Sequence, residues 1–221
     1  MVCFHFAKYM RLENAELKQE KSIGIITKCI LPFLQRIVGP LPIGLPEILV
    51  NNSRVVNAVT GQYIEEAGAA ADGHLLFFEN GIARNFYYDS GSARFVTTHI
   101  TKKHEVLLDV NSFLYGSSRP GSIQMLENGS VLLIAYSALR GMLLNFPVLN
   151  TALWQLQAEK ERQFLYYQHL LKLPLDERVQ VYLDDNPGIT SRILHDHIAN
   201  YLGTCRSGFS TSFRKYRGRA N

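Results

Sequence analysis

The sequence predicts an α+β chain that consists of an N-terminal antiparallel β-roll, a long helix and a C-terminal helix-turn-helix domain. Three observations lead to this prediction. Short apolar runs separated by turn residues recur between residues 54 and 136, residues 148–171 contain neither Gly nor Pro, and residues 198–219 combine a short helical pattern with basic side chains. We expect the corresponding units to be residues 1–146, 147–173 and 174–221.

The composition is that of an ordinary globular protein. Of the 221 residues, 47% are apolar and 19% are charged, which is enough apolar material for a buried core. The cysteines, Cys3, Cys29 and Cys205, show no CxxC spacing, so we expect no structural metal or iron–sulfur site and a reducing, cytoplasmic environment. The most apolar early stretch, residues 22–50, is interrupted by charged residues and four prolines, so we expect no membrane span.

Eight short apolar or β-branched runs predict eight strands. They are RVVNAV, QYIEE, HLLFF, IARNFYY, ARFVTTHI, EVLLDV, SIQML and VLLIAY. Turn pairs separate several of them, namely Thr60-Gly61, Asn80-Gly81, Ser90-Gly91 and Asn128-Gly129. Because Asn and Gly both tolerate positive φ, an Asn-Gly pair between apolar runs favours a hairpin. Many short strands at such spacing indicate an antiparallel sandwich or jelly roll.

The stretch after Pro147 predicts one long helix, which ends at Leu173-Pro174 because proline disfavours continuation. A heptad stripe runs along it: Leu149, Leu153, Leu156, Lys160, Gln163, Tyr167 and Leu170. Such a stripe has two interpretations, packing against the chain's own β-domain or a two-helix coiled coil between subunits. We predict a homodimer through this dimerisation helix, with five residues in the contact: Leu149, Leu153, Leu156, Tyr167 and Leu170.

The last fifty residues predict a helix-turn-helix. Ala199 supplies a small residue where two helices approach, Gly203 suits a tight turn, and Phe209 and Phe213 can anchor the second helix. The outward face of that second helix would then carry the candidate DNA-binding residues: Arg206, Ser207, Ser210, Thr211, Arg214, Lys215 and Arg217. Base-reading residues at the start of a helix and phosphate-binding residues near its end suit docking in the major groove.

The basic character of the chain is local. Residues 203–221 contain five Arg or Lys residues and no Asp or Glu, whereas the whole chain has a net charge of only +4. A concentration of positive charge at one end of a nearly neutral protein marks a surface that meets an anionic partner. Double-stranded DNA is the partner that we expect.

The order of these units resembles the cyclic-AMP receptor protein / fumarate-nitrate regulator (CRP/FNR) family of bacterial transcription regulators. The resemblance covers roughly residues 31–219, and it is closest to divergent members from Bacteroidetes-type bacteria. It is strongest in LLFFENGIARNFYY, LDERVQVYLDDNP and HIANYLGTCRSGFSTSFRKYR. It implies a cyclic-nucleotide-binding-like jelly roll, a homodimer that binds DNA without catalysis, and RNA polymerase as a further candidate partner. Of the two recognition-helix arginines common in the family, only Arg206 is kept, so we do not expect the family's usual operator.

Members of that family that bind cyclic nucleotides hold the ribose with a Gly-Glu pair and the phosphate with an Arg-Ser pair. Asp109 and Arg119 have the matching ten-residue spacing, but Leu108 stands in the glycine position and Pro120 in the serine position. Proline also removes a backbone donor. We therefore expect no cyclic AMP binding and no cofactor. Asp109 and Arg119 are then either a surface Asp and a loop Arg or the remnant of a pocket for another small anion.

Two other functions remain open at this point. One is a cupin-like jelly-roll metalloenzyme with a helical tail, for which His74, His99 and His104 of the β-region would be the candidate ligands. The other is a ligand-binding scaffold that has lost DNA binding. No nucleophile elbow, phosphate-binding loop or dinucleotide fingerprint occurs, so we predict neither catalytic residues nor a metal site.

Overall fold

The computed structural model describes residues 19–219, in which two antiparallel sheets precede a long helix and a helical C-terminal unit. The strands are β1 (Ser53–Ala58), β2 (Tyr63–Glu65), β3 (His74–Phe78), β4 (Ala83–Asp89), β5 (Arg94–Thr101), β6 (Val106–Leu107), β7 (Ser122–Met125) and β8 (Gly129–Ala135). The helices are α1 (Leu31–Val38), α2 (Leu45–Asn51), α3 (Val110–Tyr115), α4 (Tyr136–Asn145), α5 (Leu149–Lys172), α6 (Leu175–Asp184), α7 (Ile189–Arg192), α8 (His195–Tyr201) and α9 (Arg206–Arg219). Residues 19–25 are also helical and lead through a π-helical segment, Ile26–Ile30, into α1.

The two sheets confirm the predicted antiparallel β-roll. The first sheet has the strand order β1-β8-β3-β6, and the second sheet has the order β2-β7-β4-β5. Each predicted apolar run forms one of these strands. Their inward side chains, among them Leu76, Phe78, Met125 and Leu133, form a buried cluster between the sheets. Burial of such side chains is the main stabilising contribution to the roll.

The Asn-Gly pairs play a different role from the one that the sequence predicts. Asn80-Gly81 leads from β3 in the first sheet to β4 in the second, and Asn128-Gly129 leads from β7 back to β8. Gly81 has a φ of 84°, and a Cβ on Gly129 would lie 2.4 Å from the carbonyl oxygen of Asn80. The glycines therefore allow two sheet-to-sheet connections to cross closely, and the prediction of hairpins there is wrong. The true hairpin joins β4 to β5 through Ser90-Gly91.

The long helix α5 forms where it was predicted, and its heptad stripe packs on its own chain. Leu149 is buried among the N-terminal helices and α4, and Leu170 is buried in the core of the C-terminal unit. Leu153 and Leu156 line a small apolar cavity of about 80 Å³ that α5 forms with the N-terminal helices, α4 and the first sheet. Tyr167 stacks on Tyr201 with the ring centres 4.9 Å apart. The structure therefore favours the first interpretation of the stripe, and a second subunit would have to use another face of α5.

The C-terminal unit consists of α6 to α9 and rests on the second sheet. Its core joins Val179, Ile198 and Phe209 with Ile82 and Ile100 of the β-roll. The sequence predicts one helix from residue 193 to residue 202, but the structure has residues 193 and 194 extended between α7 and α8. Within residues 19–219, no helix is both long enough and apolar enough to cross a membrane.

Candidate functional site

The turn between α8 and α9 is tightly fixed. Gly203 has a φ of 64°, as the sequence predicts, and the N–H of Thr204 donates to the carbonyl of Ala199 at 2.9 Å. Arg178 of α6 donates to the carbonyl of Leu202 at 2.7 Å, and to two further carbonyls at the end of α5. This guanidinium satisfies helix-end acceptors that would otherwise lack partners. Arg178 therefore links the end of α8, where the turn into α9 begins, to the end of the long helix.

One face of α9 is buried, which fixes the direction of the other. Phe209 is fully buried and stacks on Phe213 at 5.7 Å, and the ring of His195 packs edge-on against both. Ser212 is also buried and donates to a carboxylate oxygen of Asp176 at 2.5 Å. The two predicted anchors are thus confirmed, and the remaining positions of α9 point away from the core.

The opposite face of α9, which we call the α9 outer face, carries the residues predicted to bind DNA. Ser207, Thr211 and Arg214 form an exposed row at helical spacing. The other predicted members lie on either side of this row: Arg206, Ser210, Lys215 and Arg217. Ser210 is half-buried and the others are exposed. The structure therefore brings all seven together on one surface.

Two of the basic side chains of α9 have acidic neighbours in the same unit. Lys215 lies 2.6 Å from a carboxylate oxygen of Asp176, and Arg206 lies 3.5 Å from one of Asp196. The shorter pair gives the ammonium of Lys215 a defined partner. Arg214 and Arg217, which are both exposed, show no ion pair among the described residues. They are the cations of this face that are available to an incoming anion.

Gly208 lies in the first turn of α9, close to the Thr204 side chain. The sequence predicts that a glycine here weakens the helix and that the helix becomes fully ordered only on DNA. In the structure α9 runs without interruption from Arg206 to Arg219, and a Cβ at Gly208 would lie 2.7 Å from the hydroxyl oxygen of Thr204. The missing side chain therefore leaves room for the Thr204 hydroxyl beside the first turn of α9.

A second candidate site is a cavity of about 660 Å³ between the β-roll and α5. Its charged and titratable lining residues are Glu65, His74, Asp109, Arg119, Lys160 and Glu161. Asp109 and Arg119, which the family resemblance pairs by their spacing, both line this cavity. No sequence pattern marks Glu65, because β2 reaches the cavity only through the pairing of β2 with β7.

Arg119 is buried and already has an anionic partner. Its guanidinium forms an ion pair with Glu65 and donates to the carbonyl of Ala69 at 3.2 Å, and only 6% of the residue is exposed. The Glu65 carboxylate also accepts from the backbone N–H of His74 at 3.1 Å. Arg119 lies between α3 and β7, outside the strands and helices, but it is buried rather than free in a loop. The interpretation of Asp109 as structural fits better, since it caps α3 by accepting from Ser112 N–H at 3.1 Å.

Lys160 enters the cavity from α5 and donates a hydrogen bond to the carbonyl of Leu108. Removal from water disfavours its charged form and lowers its pKa to about 8, although the nearby Asp109 carboxylate opposes this shift. The heptad stripe predicted this position as a polar interruption of a subunit contact. The structure instead makes it a polar group of the cavity wall.

Replacing Lys160 with methionine should raise stability at neutral pH. Below about pH 8 the ammonium is charged in both folded and unfolded chains, so the whole cost of its burial is present. Between pH 8 and 10.5 the unfolded chain binds more protons, and this cost disappears as pH rises. We expect Lys160→Met to gain about 1–2 kcal/mol at neutral pH. Urea titrations should show that gain shrinking toward alkaline pH, with the exposed Lys103→Met as the control.

The three histidines of the β-region lie in separate contacts. His74 bonds Glu65, His99 lies 2.9 Å from Glu105, and the ring of His104 stacks on Phe77. In residues 19–219 no group of three or more His, Cys, Asp or Glu side chains is arranged to hold a metal ion. Nothing in these contacts favours the metalloenzyme.

The comparisons with known proteins agree with the predicted architecture. No family model and no curated protein matches the sequence. Among solved structures, a protein from Eubacterium rectale assigned to the CRP/FNR family of transcriptional regulators is 17% identical, with a TM-score of 0.66 over 81% of this chain and 85% of that one. FixK2 from Bradyrhizobium japonicum is 18% identical, with a TM-score of 0.65 over 76% and 86% of the two chains.

A third similar structure is the c-di-GMP-responsive global regulator CLP of Xanthomonas campestris. It is 15% identical, with a TM-score of 0.63 over 81% of this chain and 93% of that one. The structural neighbours are thus CRP/FNR-type transcription regulators, and at these identities the likeness shows a shared fold. They do not favour the metalloenzyme alternative.

Proposed function

We propose that this protein is a cytoplasmic, homodimeric, DNA-binding transcription regulator of the CRP/FNR type and that it has no enzymatic activity. The observation that carries the proposal is the α9 outer face, an exposed basic surface on a helix that is anchored by Phe209 after a fixed turn. Such a helix can enter the major groove while its neighbour crosses the backbone. The shared fold with transcription regulators supports the same function.

The chemistry of the α9 outer face divides into two roles. Arg206 lies at the start of the helix, where a guanidinium can donate two hydrogen bonds to O6 and N7 of guanine. Arg214 and Arg217 lie two to three turns further on and suit phosphate contacts, which position the protein without reading sequence. Lys215 is less suited to this role than the sequence suggested, because Asp176 already binds its ammonium.

The two roles predict different behaviour of single variants. On an operator selected from random oligonucleotides, Arg206→Ala should lose about 1–3 kcal/mol of binding free energy and lose little on random DNA. Arg217→Ala should weaken both kinds of DNA equally and reduce the salt slope by about one. Fluorescence anisotropy titrations at several salt concentrations measure both effects.

The matched control is Arg36→Ala, which removes an exposed arginine of α1 and should change neither titration. If Arg206→Ala loses the same binding free energy on operator and random DNA, Arg206 contacts a phosphate and does not read a base. If operator selection yields no enriched sequence and no DNA is bound at low salt, the scaffold that has lost DNA binding becomes the better function.

The proposed dimer uses the side of α5 that faces away from its own chain. Trp154 is 72% exposed and Leu165 is 61% exposed, and Ala158 lies between them at helical spacing. Large exposed apolar side chains in a row indicate a contact surface. This row replaces the predicted contact, whose members Leu149 and Leu170 are buried within the chain.

Replacing Trp154 with aspartate should weaken the dimer, because it places a charge in an apolar contact between two helices. Sedimentation velocity should show the wild-type chain at twice its 25.0 kDa mass and the variant shifted toward the monomer. Leu144→Asp, at an 82% exposed apolar position of α4, is the control. A monomeric wild-type chain at micromolar concentration would contradict the dimer.

We further propose that the cavity binds a small effector other than cyclic AMP. A cyclic phosphate needs a free guanidinium, whereas Glu65 already neutralises Arg119. Pro120 cannot donate a backbone hydrogen bond, and Leu108 is buried where the resembling family has glycine. The remaining polar groups, including Lys160 and Asp109, would orient the effector.

A further inference from the structure

The side chain of Asn200 pairs with the backbone of β5. Its amide oxygen accepts from the N–H of Thr97 at 2.6 Å, and its amide nitrogen donates to the carbonyl of Phe95 at 2.8 Å. β5 is the edge strand of the second sheet, so these backbone groups face away from β4. One side chain of the C-terminal unit thus takes the place of a neighbouring strand at this edge.

The paired segment of β5 contains a β-bulge. Asn85 of β4 pairs with His99, and the next residue, Phe86, pairs with Thr97, so Thr98 is an extra residue on the edge strand. Bulges redirect side chains next to functional sites. Thr98 lines the large cavity, whereas the adjacent Thr97 is fully buried beneath the C-terminal unit. Two adjacent residues of β5 therefore connect the cavity wall, at Thr98, with the Asn200 contact, at Thr97.

Asn200 also belongs to the turn that starts the recognition helix. It is the penultimate residue of α8, and its own carbonyl accepts from the N–H of Gly203 at 3.1 Å. Nearby, Arg192 of α7 forms a two-point contact with Glu127 at 2.5 and 3.2 Å. That ion pair is partly exposed and contributes little by itself. Of these two polar contacts, the neutral and directional Asn200 contact is the stronger constraint on position.

We propose that Asn200 is a positioning residue that fixes α9 relative to the bulged cavity wall of β5. The inference rests on the proposed function, since positioning matters when two recognition helices must fit two half-sites. In the paired arrangement the α9 outer face is exposed, so the contact positions the helix without occluding it. A change of β5 at Thr98 would reach α9 through the Thr97–Asn200 hydrogen bond.

The test compares Asn200→Ala with the matched control Asn150→Ala. Asn150 is exposed at the start of α5 and also loses one hydrogen bond to a backbone carbonyl, that of Pro147, away from the sheet edge. We expect Asn200→Ala to lose about tenfold in affinity for an operator with two half-sites, because two hydrogen bonds that fix the helix are lost. Affinity for a single half-site should stay unchanged, because the α9 outer face is intact.

A second readout does not depend on DNA. Hydrogen exchange of the Thr97 amide, followed by NMR, should be at least about tenfold faster in Asn200→Ala than in the wild type and the control. Asn200→Asp keeps the acceptor for Thr97 but loses the donor to Phe95, so it should protect the Thr97 amide partly. Unchanged Thr97 exchange would overturn the proposal, and so would equal losses on single and double half-sites. A wild-type chain that binds no DNA would refute the proposed function, while Thr97 exchange still decides whether Asn200 holds β5.

Discussion

Arg119→Ala is expected to destabilise the protein by about 3–5 kcal/mol, since it leaves the buried carboxylate of Glu65 without its cationic partner. Glu65 would keep its contacts with the backbone N–H and the ring of His74, but it would lose the guanidinium that forms its closest ion pair. Urea denaturation monitored by circular dichroism measures the change in the free energy of unfolding.

Two further variants separate this cause from a general effect of removing arginine. Glu65→Gln combined with Arg119→Ala should recover part of the loss, because a neutral amide costs less to bury than a carboxylate. Arg162→Ala removes the cation of the exposed pair with Glu159 and should cost less than about 1 kcal/mol. A loss of that small size for Arg119→Ala would contradict the expectation that Glu65 is left as an unpaired buried charge.

Phe209→Ala should cost about 3–5 kcal/mol, because it empties a fully buried position between α8 and α9. Phe213 and His195 would lose the ring against which they pack. The α9 outer face would then lose its fixed orientation, so binding to operator and random DNA should both fall, in contrast to Arg206→Ala. Thermal unfolding and DNA titration of the same preparation measure the two effects. Leu194→Ala, at a 68% exposed position, is the control, and an equal response of both variants would contradict the anchor role of Phe209.

Patterns within a single element account for what the sequence could predict. The eight strands, the long helix and the glycine turn at residue 203 follow from local alternation, the absence of Gly and Pro, and the backbone freedom of one residue. The positions of Phe209 and Phe213 follow from helical spacing once α9 is assumed. These features need no knowledge of which elements pack together.

Contacts between residues that depend on tertiary packing could not be predicted in this way. The heptad stripe of α5 correctly marked an apolar face, but spacing does not say whether that face meets another subunit or the same chain. Glu65, Arg178 and Asn200 are isolated polar residues in the sequence. Each has its role only because the fold places a charged group or a backbone group from a distant part of the chain beside it. The Asn-Gly pairs likewise indicated turns without indicating which sheets the turns connect.

The most direct test of the central claim, that the α9 outer face binds DNA, is the salt dependence of binding to random-sequence duplex DNA. The wild-type chain is compared with the double variant Arg214→Ala/Arg217→Ala, which leaves the buried side of α9 untouched. Each phosphate contact contributes about 0.9 to the negative slope of log affinity against log salt concentration. The account predicts binding at low salt and a slope that is smaller by about two in the double variant. Equal slopes for the two proteins, or no binding by the wild type at low salt, would contradict it.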